Sequence, residues 1–155
     1  MWLVYHKKIL TWDNIRKRGV LRPSRCQLCE AQEEIMELLL NNCIFTSWIW
    51  DTFSTIFQQS DRDRGNIIST LKNWRRNFSD YEILSSAWAL TPRFIIWNVW
   101  KERNKRTFRE EKNPPHRLFE IILKRLKETV GTIVRNYSKN PPSNVDSKIL
   151  RQLRM

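Results

Sequence analysis

Three cysteines in this chain have the types and spacing of metal ligands. Cys26 and Cys29 form a C-x2-C pair, which lets two thiolates of one turn reach a single ion. Cys43 arrives from the far end of the apolar segment that follows. A closed zinc site has four ligands, and the chain's two histidines, His6 and His116, both lie outside this segment. The sequence therefore predicts a zinc site that is incomplete.

Helices are the elements that must position these cysteines. Apolar residues recur at helical spacing between Cys29 and Cys43, again in residues 44–57 and 66–78, and in later segments. We find no run that alternates with period two. The fold class is therefore predicted to be all-α, a small helical bundle with a Cys-containing loop–helix knuckle near the N-terminus. Residues 1–137 are predicted to form the domain, and 138–155 a flexible basic tail.

Local signals predict where helices start and which aromatic side chains they bury. Thr91-Pro92 predicts a new helix start, with threonine as cap and proline in the first turn, and Asn113-Pro114-Pro115 repeats this signal. Trp48 is placed on the inward stripe of the 44–57 helix. Trp97 and Trp100 stand at helical spacing and are expected to pack into the core.

The formal charge of +12 is unevenly distributed. Residues 1–25 carry a net +6, residues 26–63 a net −6 and residues 64–155 a net +12. A basic chain of this kind favours polyanionic partners, although a merely solvated surface is the other reading. The candidate nucleic-acid-binding residues are Arg16, Lys17, Arg18, Arg22, Arg25, Lys101, Arg103, Lys105 and Arg106.

The stretch ILTWDNIRKRGVLRPSRCQLCEAQEEIMELLLNNC, followed later by IIWNVWKERNKRTF, resembles the zinc-binding domain of plant non-LTR (LINE-type) retrotransposon reverse transcriptases. The similarity covers roughly residues 1–112. The three cysteines fall on the family's cysteines and Glu34 falls on its glutamate, whereas Leu38 occupies the position of its histidine. The resemblance implies an accessory domain, separated from its polymerase, that binds RNA or DNA with low specificity and holds it near a reverse transcriptase.

The replacement at Leu38 leaves the fourth metal ligand open. Glu37 is the nearest oxygen donor, but it would have to reach around the helix. Glu34, His6 if the fold brings it near, and water are the alternatives. The three cysteines also have a second reading, as packed thiols without a metal.

Catalysis has little support in the sequence, because two-metal chemistry needs clustered carboxylates and the acidic residues here are scattered. We therefore expect a protein that is not an enzyme. An odd, clustered cysteine count fits an intracellular location, in the nucleus or cytoplasm. No segment has the ~20 apolar residues of a membrane span. The alternative functions are a helical protein-interaction scaffold, docking through exposed tryptophans, and an inactive transposon remnant.

Overall fold

Helices make up most of the chain in the computed structural model, which describes residues 1–20, 24–57, 63–76 and 82–136. In chain order the helices of these described ranges are α1 (Trp2–Tyr5), α2 (Trp12–Arg16), a π-helical turn (Leu38–Asn42), α3 (Ile44–Ile56), α4 (Ile67–Arg76), α5 (Glu82–Phe108) and α6 (Pro115–Asn136). The β pairing in these ranges is one isolated antiparallel bridge, between Arg25 and Glu33. The predicted all-α class is confirmed. The proposed tail at 138–155 lies outside the described residues, so the division at residue 137 stays a prediction.

The core lies where α3, α5 and α6 meet. Trp50 and Phe53 of α3 pack into one apolar cluster with Ile95 of α5 and with Ile122 and Leu126 of α6. All five side chains are at most 1% exposed. Helices α5 and α6 form the most extensive helix pair of the described chain. Most helical stability in proteins comes from packing an apolar face, so this shared burial is what stabilises the two helices.

The inward face of α3 is centred on Trp50 rather than on Trp48. Trp50 is fully buried, whereas Trp48 is 43% exposed, so the prediction for Trp48 was wrong. The Trp50 indole lies edge-on to Trp74, with ring centroids 5.2 Å apart. Its Nε1 donates to the Leu40 carbonyl at 2.8 Å. Hydrophobicity alone does not distinguish the two tryptophans, but a buried indole N–H needs an acceptor and Trp50 has one.

Helix α5 runs through Pro92 without a break, so the new start predicted at Thr91-Pro92 was wrong. A proline inside a helix leaves the carbonyl four residues earlier without its N–H partner. That carbonyl belongs to Trp88, and it accepts a hydrogen bond from Trp74 Nε1 at 2.9 Å. Trp88 Nε1 donates in return to the Trp74 carbonyl, and the two indoles stack with centroids 4.1 Å apart. The Thr91 hydroxyl does not cap a new helix but donates to the Ala87 carbonyl at 2.8 Å.

Trp74→Phe is expected to destabilise the domain by about 1–3 kcal/mol, because it removes the indole hydrogen bond to the buried Trp88 carbonyl. In a Pro92→Ala background, the new backbone N–H can bond that carbonyl and the cost of Trp74→Phe should fall. Urea unfolding of the four proteins of this cycle measures the coupling. Trp100→Phe is the matched control, since its indole nitrogen is buried without a hydrogen-bond partner in the described structure. Equal costs of Trp74→Phe in both backgrounds would contradict this account.

The connection between α5 and α6 is fixed by a buried carboxylate. Helix α6 begins at Pro115, as the Asn113-Pro114-Pro115 signal predicts. Asn113 donates its backbone N–H and its side-chain amide to Glu102, at 2.7 and 2.8 Å. Glu102 is 1% exposed.

None of the helices in the described ranges combines the length and apolar character of a membrane span.

Candidate metal centre and basic surface

The C-x2-C pair lies in a tight loop between residues 24 and 34, which we call the knuckle. Cys26 N donates to the Gln32 carbonyl and Glu30 N donates to the Cys26 carbonyl, both at 2.8 Å. Glu30 takes a φ of 56°, in the left-handed region that lets the chain turn back. These backbone bonds place Cys26 and Cys29 on one turn, as the spacing predicts.

The sulfur atoms of the three cysteines converge. Sγ of Cys26 and Sγ of Cys43 are 3.9 Å apart, and all three sulfurs lie within 4.8 Å of one another. Zinc–thiolate bonds of about 2.3 Å in a tetrahedron place sulfurs about 3.8 Å apart. Cys26 and Cys43 are buried, and Cys29 is partly exposed. The three thiols therefore lie close enough to bind a metal ion such as zinc.

The contact between Cys26 and Cys43 separates the acidities of the two thiols. The hydrogen bond with Cys43 lowers the pKa of Cys26 to about 6, against burial, with help from the backbone N–H groups of Cys29 and Leu28. The same hydrogen bond, together with burial, raises the pKa of Cys43. Cys26 is therefore the thiol most readily present as thiolate, which is the form that ligates metals.

Cys43 owes its position to the π-helical turn, which replaces the ordinary helix predicted between Cys29 and Cys43. Cys43 N donates to the Leu38 carbonyl at 2.7 Å, one residue further back than in an α-helix. The wider turn leaves backbone carbonyls that accept hydrogen bonds from side chains. Thr46 Oγ1 donates to the Leu39 carbonyl at 2.8 Å, and Trp50 Nε1 takes that of Leu40. Periodicity alone does not reveal this insertion.

No carboxylate or histidine among the described residues joins the three cysteines. Glu37 points to α4 instead, where its Oε2 accepts the Ile67 N–H at 2.8 Å and satisfies a first-turn donor. His6 lies against Trp2, with ring centroids 4.4 Å apart and ring planes tilted by 39°. Leu38 is buried and offers no lone pair. The site thus provides three of the four donors of a closed zinc centre, and the candidate fourth ligand Glu37 is engaged elsewhere.

Glu34 is likewise unavailable, because it forms a buried ion pair with Arg103 of α5. Arg103 Nη2 donates to Glu34 Oε1 at 2.7 Å, and its Nε lies 3.1 Å from both carboxylate oxygens. The two side chains are 1% and 0% exposed. Trp12 N, at the start of α2, donates to the same carboxylate at 3.1 Å. One carboxylate therefore ties the knuckle to both α2 and α5.

Comparison with known families agrees with this geometry over the N-terminal third of the chain. Residues 1–50 match the family model for zinc-binding in reverse transcriptase. The matched region contains all three cysteines, together with Glu34 and Leu38. Neither the curated proteins nor the solved structures gave a match.

A second arginine of α5, Arg106, also contacts the knuckle. Arg106 Nη1 donates to the carbonyls of Gln27 and Leu28, at 3.1 Å each, within the C-x2-C turn itself. Its Nε pairs with Glu102 at 3.0 Å, and the Arg106 side chain is only 7% exposed. Sequence reasoning missed these contacts. The signal that could have indicated them is the acidic block between two basic flanks, since buried charges must find partners.

The structure separates the nine predicted nucleic-acid-binding residues into groups. Arg103 and Arg106 were predicted to contact phosphates. Their side chains are instead enclosed in the fold, which leaves little surface for such a contact. Arg22 lies outside the described residues. Arg16 pairs with Glu33 at the surface. The remaining members are exposed or half-exposed: Lys17, Arg18, Arg25, Lys101 and Lys105.

The last turns of α5 carry a surface that we call the α5 patch, made of Lys101, Asn104, Lys105, Phe108 and Arg109. These residues line one shallow depression of about 300 Å³. The Phe108 ring is 74% exposed, in the midst of the cations. Lys105 Nζ lies 3.0 Å from Glu111, an exposed pair that competing anions can break at little cost. An aromatic side chain surrounded by cations can stack a base while the cations contact phosphates.

Proposed function

We propose that this chain is a non-catalytic, nucleic-acid-binding accessory domain of a reverse transcriptase, derived from a plant LINE-type retrotransposon and carrying a degenerate zinc site. The match of residues 1–50 to zinc-binding in reverse transcriptase supports the origin. The observation that carries the binding function is the exposed Phe108 ring among the cations of the α5 patch. An exposed aromatic ring among cations is an arrangement that can stack a base while the cations contact phosphates.

The binding mode we infer is electrostatic and stacked, without sequence preference. From Lys101 to Arg109 the helix rises about 12 Å. That length corresponds to roughly three or four nucleotides at about 3.4 Å each. Lys101, Lys105 and Arg109, about 6 Å apart along the helix, would contact phosphates within this stretch, and Phe108 would stack one base. Lys17, Arg18 and Arg25 form a second set of exposed cations near the knuckle.

The metal centre has a structural part in this proposal. Cys26, Cys29 and Cys43 would hold zinc, which would staple the knuckle to the start of α3. The buried carboxylates support a non-catalytic reading, because Glu34 and Glu102 each hold an arginine. Free thiols at this centre suit a reducing compartment, and we place the protein in the nucleus or cytoplasm.

The test is the salt dependence of binding to a fluorescein-labelled, unstructured single-stranded RNA, and to DNA of the same sequence. Each phosphate contact to a single strand contributes about −0.7 to the slope of log K against log salt. The double variant Lys101→Gln/Lys105→Gln should therefore reduce the magnitude of the slope by about 1.4. Lys72→Gln/Lys124→Gln is the control, since it removes the same charge from exposed positions on α4 and α6.

Phe108→Ala distinguishes stacking from charge in the same assay. It should weaken binding by about 1–3 kcal/mol, roughly 5- to 150-fold, with the slope unchanged. A flat salt response, or equal slopes in both double variants, would rule out the α5 patch. Absence of binding to either strand at low salt would favour the inactive remnant.

A further inference from the structure

An apolar groove lies between the N-terminal segment and the first half of α5, away from the knuckle. It encloses about 500 Å³. Its walls include Leu3, Val4 and Ile9 on one side and Leu90, Phe94 and Trp97 on the other. A cavity of this size and composition is typical of sites that accept large apolar groups. Neither the metal centre nor the α5 patch uses these residues.

Large apolar side chains remain exposed around this groove. Trp2 is 60% exposed, Leu3 50% and Trp97 53%. The prediction that Trp97 packs into the core was wrong, while its stacked neighbour Trp100 is half-buried, with ring centroids 5.7 Å away. Exposed apolar side chains on the two segments that form an apolar groove are typical of an interaction site. Within the described residues, no other segment covers the groove.

Cations surround the groove. Lys8 Nζ lies 5.5 Å from the Trp2 ring centroid, and Lys101 Nζ lies 5.9 Å from that of Trp97. Arg93 is exposed and lines the groove directly. Among the described residues, no carboxylate lines it. An apolar floor with a cationic rim is complementary to an apolar group flanked by negative charge.

We propose that this groove binds an amphipathic helix of a partner protein, with leucine or phenylalanine side chains in the cavity and acidic residues facing Lys8, Arg93 and Lys101. The stretch of α5 from Leu90 to Trp100 is about 15 Å long, which matches about three turns of a docked helix with anchors at i, i+4 and i+7. The inference goes beyond the proposed nucleic-acid binding and does not depend on it.

Two other occupants fit the groove less well. A nucleobase has several donors and acceptors on its edge, and the lining offers only the Arg93 guanidinium and the Trp100 indole N–H, which is buried without a partner in the described structure. Burying the remaining edge atoms unpaired would be costly. A second copy of this chain would bring two cationic rims together, which is unfavourable.

The probe is a fluorescein-labelled synthetic peptide with leucine at i, i+4, i+7 and i+11 and glutamate on the flanks, compared with its lysine-flanked counterpart. We expect the wild-type protein to bind the acidic peptide at least about tenfold more tightly than the basic one. Leu3→Glu should lower the affinity for the acidic peptide by about tenfold or more, because it puts a carboxylate into the apolar floor. Ile44→Glu is the matched control, since Ile44 is apolar and 77% exposed outside the groove.

Arg93→Glu tests the rim separately and keeps the proposal falsifiable if Leu3→Glu disturbs folding, which circular dichroism would reveal. It should lower the preference for the acidic peptide over the basic one, because it changes the charge of the rim from +3 to +1. The proposal is overturned if neither peptide binds, if binding ignores both changes, or if Leu3→Glu and Arg93→Glu weaken single-stranded RNA binding as much as peptide binding. Gel filtration showing a dimer that Leu3→Glu dissolves would also overturn it in favour of self-association. Phe108→Ala should leave peptide binding unchanged, so failure here is distinguishable from failure of the α5 patch.

Discussion

Replacing Arg103 with methionine is expected to destabilise the domain by about 3–5 kcal/mol, because it strands the Glu34 carboxylate in the interior. Glu34 is 0% exposed and Arg103 is the cation that neutralises it, through contacts of 2.7 and 3.1 Å. The Arg103 guanidinium also lies 5.5 Å from the Trp12 ring centroid, so its loss loosens α2 as well. Chemical unfolding followed by circular dichroism measures the loss.

Glu34→Gln in the same chain should restore more than half of this stability. The amide removes the buried charge but keeps an oxygen for the Trp12 N–H, which donates to Glu34 at 3.1 Å in the wild type. Arg64→Met is the control, because Arg64 is 70% exposed in its pair with Asp51 and such pairs contribute about 0–1 kcal/mol. A cost for Arg103→Met as small as that of Arg64→Met would contradict the buried-pair account.

Zinc affinity is expected to rise by roughly 10²–10³-fold when Leu38 is replaced by histidine. Closed four-ligand zinc sites bind with about 10–16 kcal/mol, so one further donor is worth roughly 2.5–4 kcal/mol. Leu38 is the position that the resemblance assigns to the family's histidine. Competition with a chromophoric chelator measures the affinity, and native mass spectrometry gives the stoichiometry.

Leu38→Ala is the control for this prediction, since it removes the same buried apolar side chain without adding a donor. Equal zinc affinity in the two variants would show that position 38 does not face the cysteines.

We expect chelator-treated wild-type protein to keep its helical spectrum, because Arg103 and Arg106 hold the knuckle through Glu34 and through the Gln27 and Leu28 carbonyls.

These contacts explain why the missing ligand is compatible with a folded knuckle. In small zinc domains the metal supplies the folding free energy. Here two arginines of α5 also hold the knuckle. Lys112, which follows α5, adds an exposed ion pair with Glu30 of the knuckle at 2.7 Å. We infer that such links reduce the dependence of the fold on a closed metal site. Arg103 and Arg106, which the sequence predicts to contact nucleic acid, make these links.

The sequence by itself determined the elements and the convergence of the thiols. The 3.6-residue recurrence of apolar side chains predicts α3, α4 and α6, because it reports which face each helix buries. The cysteine spacing indicates the metal centre, because two thiolates of one turn meet a single ion. Proline at position 115 marks the start of α6, because its missing N–H has no partner to lose there.

Tertiary structure decided what each side chain does. Pro92 is carried inside α5 by Trp74, a donor from another helix. Arg103 is a buried partner of Glu34 rather than a phosphate contact. Trp97 remains exposed beside a groove. The physical reason is the same in each case. Periodicity and spacing are local properties of the chain, whereas hydrogen-bond and charge partners are chosen among residues that only folding brings together.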